Sequence, residues 1–165
     1  MRDLNFKKGD EHMERQQVAE LYESYAEDAY RLALSWLHNS HDAEDVVQSI
    51  FLKLLNKNIV LLPGKEKAWF LKCTANACKN HLRSFWNRNT QALDENIILN
   101  TNEDRSLWEA IAKLKPTYRA AIHLYYYEGY NQNEIAQILG ISQTAVQTRM
   151  QRAREFLKKE LNENG

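Results

Sequence analysis

The chain has 165 residues, 44% hydrophobic and 27% charged, with five Gly and two Pro, and its 22 Lys and Arg balance its 22 Asp and Glu. Domains usually hold about 50 to 200 residues, so this length fits one medium domain or two small ones, and the shortage of breakers favours a soluble helical protein. A membrane helix is excluded, because no apolar run approaches the roughly 20 residues a bilayer requires; a secretory leader is excluded because residues 1–17 carry charges but no apolar segment, and the expected compartment is the cytoplasm.

In chain order, residues 1–17 are an N-terminal extension. Val18, Leu21, Tyr22, Tyr25, Ala26, Ala29, Leu32, Ala33, Trp36 and Leu37 then recur at intervals of three and four, which predicts one long amphipathic helix ending near "HNS". A second helix is expected from about Ser40, with Asp42, Glu44 and Asp45 near the positive end of its dipole. Its apolar side is Val46, Val47, Ile50, Phe51, Leu54 and Leu55. Pro63-Gly64 is turn chemistry, and a third helix is expected over about residues 65–87. These three helices would form one small bundle over residues 18–90.

Residues 87–104 are rich in Asn, Asp and Thr with weak periodicity and read as flexible, with a linker at 91–104. Helical spacing resumes at Leu107, Trp108, Ile111, Ala112 and Leu114 and stops at Lys115, since the residue before a proline disfavours helical geometry. Pro116 opens the next helix, "TYRAAIHLYYYEG", which Gly129 closes. Its "LYYY" looks like a stacking platform, but at helical spacing it reads as core with one exposed tyrosine.

In "NEIAQILGISQTAVQTRMQRAREFL", Asn131 caps a helix whose Ile135, Ala136 and Leu139 face inward, and Gly140 supplies the left-handed residue of a tight turn. Ser142 caps the last helix, with Ala145, Val146, Met150, Ala153 and Leu157 as its buried stripe. Gln143, Thr144, Gln147, Thr148, Gln151 and Arg152 are left outward, flanked by Arg149 and Arg154. Two helices packed about a glycine explain the stripe. They do not explain an outward set of Gln, Thr and Arg with no acid over residues 140–154. A polar helix face of that kind reads base edges in a major groove while cations meet phosphates, so the pattern is a helix-turn-helix over residues 105–165.

Zero net charge hides local imbalance. Residues 20–56 carry a balance of minus five and residues 65–90 one of plus five, which suggests one partner for the acidic part and a phosphate backbone for the basic part. Cys73 and Cys78 sit about 140° apart on a helix and cannot share an ion; Cys78 and His81 share a face, but no second pair completes a tetrahedral site. No metal or cofactor is expected, and buried Cys is the simpler reading. The five His are scattered and no glycine loop, catalytic acid–base pair or nucleophile motif is present, so no enzyme and no small-molecule substrate are expected.

With both halves in view, residues 18–161 resemble the extracytoplasmic-function (ECF) class of bacterial sigma factors, which implies an all-α fold of two small helical domains joined by a flexible linker. "DAEDVVQSIFLKLL" is similar to the family's core-polymerase-binding helix, with Asp42, Asp45, Gln48 and Phe51 at its matching positions; core packing is the other reading of Phe51. "AWFLKCTANACKNHLR" resembles the helix that meets the minus-ten promoter element. It puts Trp69 and Asn76 at the family positions, with residues 58–65 walling a pocket for an extruded base. Lys72, Lys79, Asn80, Arg83 and Arg88 complete that candidate surface, with Asn80 where many members have Asp. "EIAQILGIS" and "RAR" are similar to the minus-thirty-five-binding domain, with Gln147 where many relatives have Lys. The resemblance implies core RNA polymerase, promoter DNA and an anti-sigma factor as partners. A stand-alone helix-turn-helix regulator with a dimerising or sensing bundle is the alternative, but it has no reason to carry both "DAEDVVQSIF" and "TANACKNHLR".

Overall fold

A computed structural model describes residues 7–8, 13–57, 59–88 and 102–163, with side chains for 13–57, 59–84 and 106–163. The chain divides into two compact helical units, Met1–Gln91 and Ala92–Gly165.

In the first unit, α1 (Arg15–Leu37), α2 (Ser40–Asn56) and α3 (Glu66–Arg88) form a three-helix bundle. Gln17 Oε1 accepts the otherwise orphaned N–H of Glu14 at the start of α1. The helix stops because His38 turns into the left-handed region at φ 54° while its N–H still bonds Leu34. Asn39 then caps α2, its Oδ1 accepting from the Asp42 N–H at 2.9 Å. A link of two residues therefore joins α1 to α2. Strands β1 (Lys7–Lys8) and β2 (Ile59–Val60) pair antiparallel, Lys7 with Val60 and Lys8 with Ile59. Gly64, at φ 78°, completes the turn into α3.

Phe70 is the centre of this unit's core. Phe51 stacks on it at 5.1 Å and Tyr25 at 5.3 Å, while Trp69 meets its edge at 4.9 Å. Leu32, Trp36, Leu54 and Leu71 are fully buried around them. Tyr22 and Leu55, placed by spacing on the apolar sides, are exposed. Tyr22 still contacts Phe51 edge-on at 4.7 Å, so it lies at the rim of its stripe rather than off it.

In the second unit, α4 (Asn102–Ala112) begins five residues before Leu107, where the apolar spacing starts. Its first turn, Asn-Glu-Asp, is polar because acids suit a helix N-terminus, and apolar periodicity cannot register such residues. Lys115 stands at the N-cap position of α5 (Pro116–Ile122) with no side-chain capping bond, and α5 runs straight into a π-helical turn, His123–Tyr127. The Glu128 N–H bonds His123 O at 3.1 Å, and Gly129 at φ 75° ends the segment. The wider turn leaves Leu124 buried but both Tyr126 (61% exposed) and Tyr127 (56%) outside, where a regular helix predicts one exposed tyrosine.

Asn131 and Glu134 cap α6 (Gln132–Leu139) reciprocally, at 2.9 and 2.8 Å. Gly140, at φ 66°, turns the chain, and Ser142 Oγ accepts from the Ala145 N–H to start α7 (Gln143–Glu163). Leu124, Ile135, Leu139, Val146, Met150 and Ala153 are buried between these elements, whereas Ala145 and Leu157 are half-buried at the edge of the stripe. Arg119 is buried among them. Its Nη1 donates to the Leu114 carbonyl at 2.6 Å and the Ala112 carbonyl at 3.2 Å, satisfying the open end of α4. Lys113 Nζ reaches Glu160 Oε2 at 2.7 Å and joins the same end of α4 to α7.

Candidate protein and nucleic-acid interfaces

On α2, Asp45 and Gln48 are exposed one turn apart, with Glu44 exposed beside them. The other two residues proposed for this surface are placed differently. Phe51 is buried between Tyr22 and Phe70, so packing accounts for it. Asp42 is half-buried, its Oδ2 3.1 Å from His81 Nε2 on α3. Sequence reasoning passed over Leu52, which is 56% exposed and lies one turn beyond Gln48, with Leu55 a further turn on. An apolar residue off the buried stripe was the available signal. The exposed side of α2 thus runs from carboxylate and amide to leucine.

On α3, residues 69, 72, 76, 79, 80 and 83 fall within about 100° of one another around the helix axis at 3.6 residues per turn. Asn76, Asn80 and Arg83 are exposed, and Lys72 and Lys79 are half-buried. Trp69 shares the azimuth but is 2% exposed and packed edge-on against Phe70. It offers no face to a nucleic acid here, and its work is to seat the first turns of α3. Arg88 ends α3 and its side chain lies outside the described residues, as does Asn58 in the preceding loop. Within that loop Val60 and Leu62 are exposed.

Opposite this cationic side, Thr74 and Cys78 are buried; Thr74 Oγ1 donates to Phe70 O at 2.7 Å. Burial raises the Cys78 thiol far above its ordinary range. Burial also pushes Cys73 up to about 11, against the opposing pull of Lys53 and Lys72. Both thiols are therefore protonated at neutral pH, the inert form. Among the described residues no group of three or more His, Cys, Asp or Glu is arranged to hold a metal, and no helix is long and apolar enough to cross a membrane.

On α7, Gln143, Thr144 and Gln147 project outward, with Thr148 and Gln151 on the same side. Thr148 Oγ1 donates back to Thr144 O at 3.0 Å, and Gln151 Nε2 reaches Glu155 at 3.1 Å. Arg154 is exposed but tied to the π turn, its Nε donating to Tyr126 Oη at 2.8 Å with its guanidinium over the Tyr125 and Tyr126 rings. Arg149 is half-buried on the flank rather than outward. Burial lowers its pKa, and its Nη1 is buried with no hydrogen-bond partner among the described residues. Arg152 donates to the Tyr118 hydroxyl. That bond lowers the phenol's pKa and raises that of the guanidinium. Lys115 lies over the Tyr118 ring at 5.7 Å, so cations gather around the start of α5. Tyr118, Arg119 and Tyr126 were not singled out from the sequence, because a residue whose partner lies in another helix leaves no periodic trace.

Comparison with known proteins bears on both units. The profile of Sigma-70 region 2 matches residues 21–88, and that of Sigma-70, region 4 matches residues 104–157. The ECF RNA polymerase sigma factor SigE of Mycolicibacterium smegmatis is 30% identical over 152 residues, 84% of this chain, which spans 59% of that protein's length. RNA polymerase sigma factor SigV of Bacillus subtilis is 30% identical over 145 residues, 83% of this chain and 86% of its own. Among solved structures, the sigma factor RpoE of Bartonella quintana in complex with the anti-sigma factor NepR has a TM-score of 0.65 at 19% identity, over 90% of this chain and 96% of that one. The matches to both sigma-70 regions and the 30% identity to such relatives lead to one assignment: the chain belongs to the ECF family of RNA polymerase sigma factors.

Proposed function

We propose that, in this alternative sigma factor, the first unit binds core polymerase and the two units together recognise the promoter. Residues 18–90 dock on core RNA polymerase through the exposed Asp45 and Gln48 of α2. The same unit meets the minus-ten element through Asn76, Lys79, Asn80 and Arg83 of α3, with Lys72 at the margin. Residues 105–165 read the minus-thirty-five element through Gln143, Thr144, Gln147, Thr148 and Gln151, with Arg149 and Arg152 nearer the phosphates; residues 91–104 link the two. The observation that carries this reading is the separation of charge by surface. An acidic helix face in one unit and an acid-free recognition face over residues 143–154 in the other are both turned to solvent.

In this reading the protein catalyses nothing itself, needs no cofactor, metal or small-molecule substrate, and works in the cytoplasm, where its polymerase is. An anti-sigma factor is the expected inhibitor. Polymerase supplies most of the affinity, so the modest cationic count of α7 suffices for promoter choice. Separation of function tests the division. Asp45→Lys should weaken core binding while the isolated contact of α7 with minus-thirty-five DNA is unchanged, and Gln147→Ala should do the reverse. Equal loss of both activities in either variant would contradict it.

A further inference from the structure

We infer that Asp42 is a positioning residue for the promoter-facing side of α3, acting through His81, and not a polymerase contact. The inference rests on the reading above, in which α2 meets polymerase and α3 meets the minus-ten element. Asp42 stands in the first turn of α2, where its own N–H is held by Asn39 Oδ1 at 2.9 Å, so its backbone is fixed before its side chain is used. The carboxylate leaves the exposed face of Asp45 and Gln48. It turns to α3, with Oδ2 3.1 Å from His81 Nε2 and both side chains about a third exposed. At that distance the ionised carboxylate attracts the imidazole edge whether the ring is neutral or protonated, more strongly in the second case.

The position of His81 gives the bond its consequence. It directly follows Asn80 and lies two residues before Arg83 and two after Lys79. One turn of helix therefore carries the anchor and the candidate strand contacts. The buried side of that turn packs through Cys78, and the Asp42 contact adds a polar tie on the flank of the helix. The Asp42–His81 bond sets the azimuth at which Asn80 and Arg83 meet DNA, from the first turn of the helix that grips polymerase. A small shift of this turn displaces the contacts, the kind of misplacement to which positioned contacts are sensitive.

The test uses holoenzyme assembled from core polymerase and the full chain. Core affinity is measured by fluorescence titration, and promoter opening by a fluorescent base analogue in the minus-ten element. Asp42→Ala and His81→Ala should each slow opening about three- to tenfold, the range for losing one partly exposed polar bond. The double variant should be no slower than the worse single one. Asp42→Asn, whose amide oxygen still accepts from His81, should recover most of the rate. Core affinity of Asp42→Ala should stay within about twofold of the parent, while Asp45→Lys weakens it.

Loss of core affinity in Asp42→Ala together with Asp45→Lys would overturn the assignment, as would additive effects on opening or no recovery with Asp42→Asn. Unchanged core affinity in Asp45→Lys would instead refute the reading of α2, and the non-additivity of Asp42 and His81 would still report on the bond. Thermal melting of each variant separates a loss of rate from a loss of fold.

Discussion

Replacing Arg119 by Ala should destabilise the second unit while sparing the first. Its guanidinium closes the C-terminus of α4 by donating to the carbonyls of Leu114 and Ala112, so the variant strips two acceptors at a buried helix end. Each buried acceptor left open costs about 1–3 kcal/mol. Part of that is recovered, because burial holds the Arg119 pKa down at about 10 and removing a desolvated charge is favourable. A net loss of about 2 kcal/mol is expected after this offset. For a unit of this size, such a loss lowers its melting temperature by about 8–16 °C. Calorimetry on the full chain should show one transition shifted and the other in place. Arg119→Met, which fills the volume but donates nothing, should recover little. A shift below about 2 °C, or loss of minus-thirty-five binding with unchanged melting, would refute the capping role and make Arg119 a surface contact.

Further outcomes follow from the placement of particular side chains. Trp69→Ala should cost about 3–5 kcal/mol in the first unit, as expected for an emptied aromatic site, whereas Asn76→Ala should leave melting unchanged and weaken only minus-ten binding; chemical denaturation beside a single-strand binding assay distinguishes them. Gln147→Ala should change minus-thirty-five base preference by about 1–3 kcal/mol at one position. Arg154→Ala should lower stability through its lost tyrosine contacts and leave that preference intact, as read by selection from a randomised site. Alkylation of Cys73 in the native protein should be slow at pH 8, rise steadily with pH and level off only towards about pH 11, because burial raises its thiol and the reactive species is the thiolate. A rate that already levels off near pH 9 would contradict that.

Much of this architecture is legible in one-dimensional spacing. The apolar stripes of α1, α2 and α7, the Pro116 start and the Gly140 turn are local rules, and the helices follow them. What spacing could not show was set by partners distant in sequence. Trp69 and Phe51 match positions of functional motifs, but the aromatic cluster around Phe70 takes both inside. Arg154 has the look of an outward cation until the π turn brings Tyr126 to it, and no periodic signal announces such a turn. Asp42 and Asp45 are indistinguishable as letters in "DAED", yet only the first has His81 within reach.

The central claim is that this chain brings core polymerase to a promoter, and the most direct measurement is reconstituted transcription with purified core enzyme. Templates carrying a broad promoter library are transcribed with and without the chain, and the start sites are sequenced. Discrete starts should depend on the added protein and share two upstream elements, and they should vanish with Asp45→Lys. No protein-dependent start from any template, with binding to DNA intact, would contradict the account.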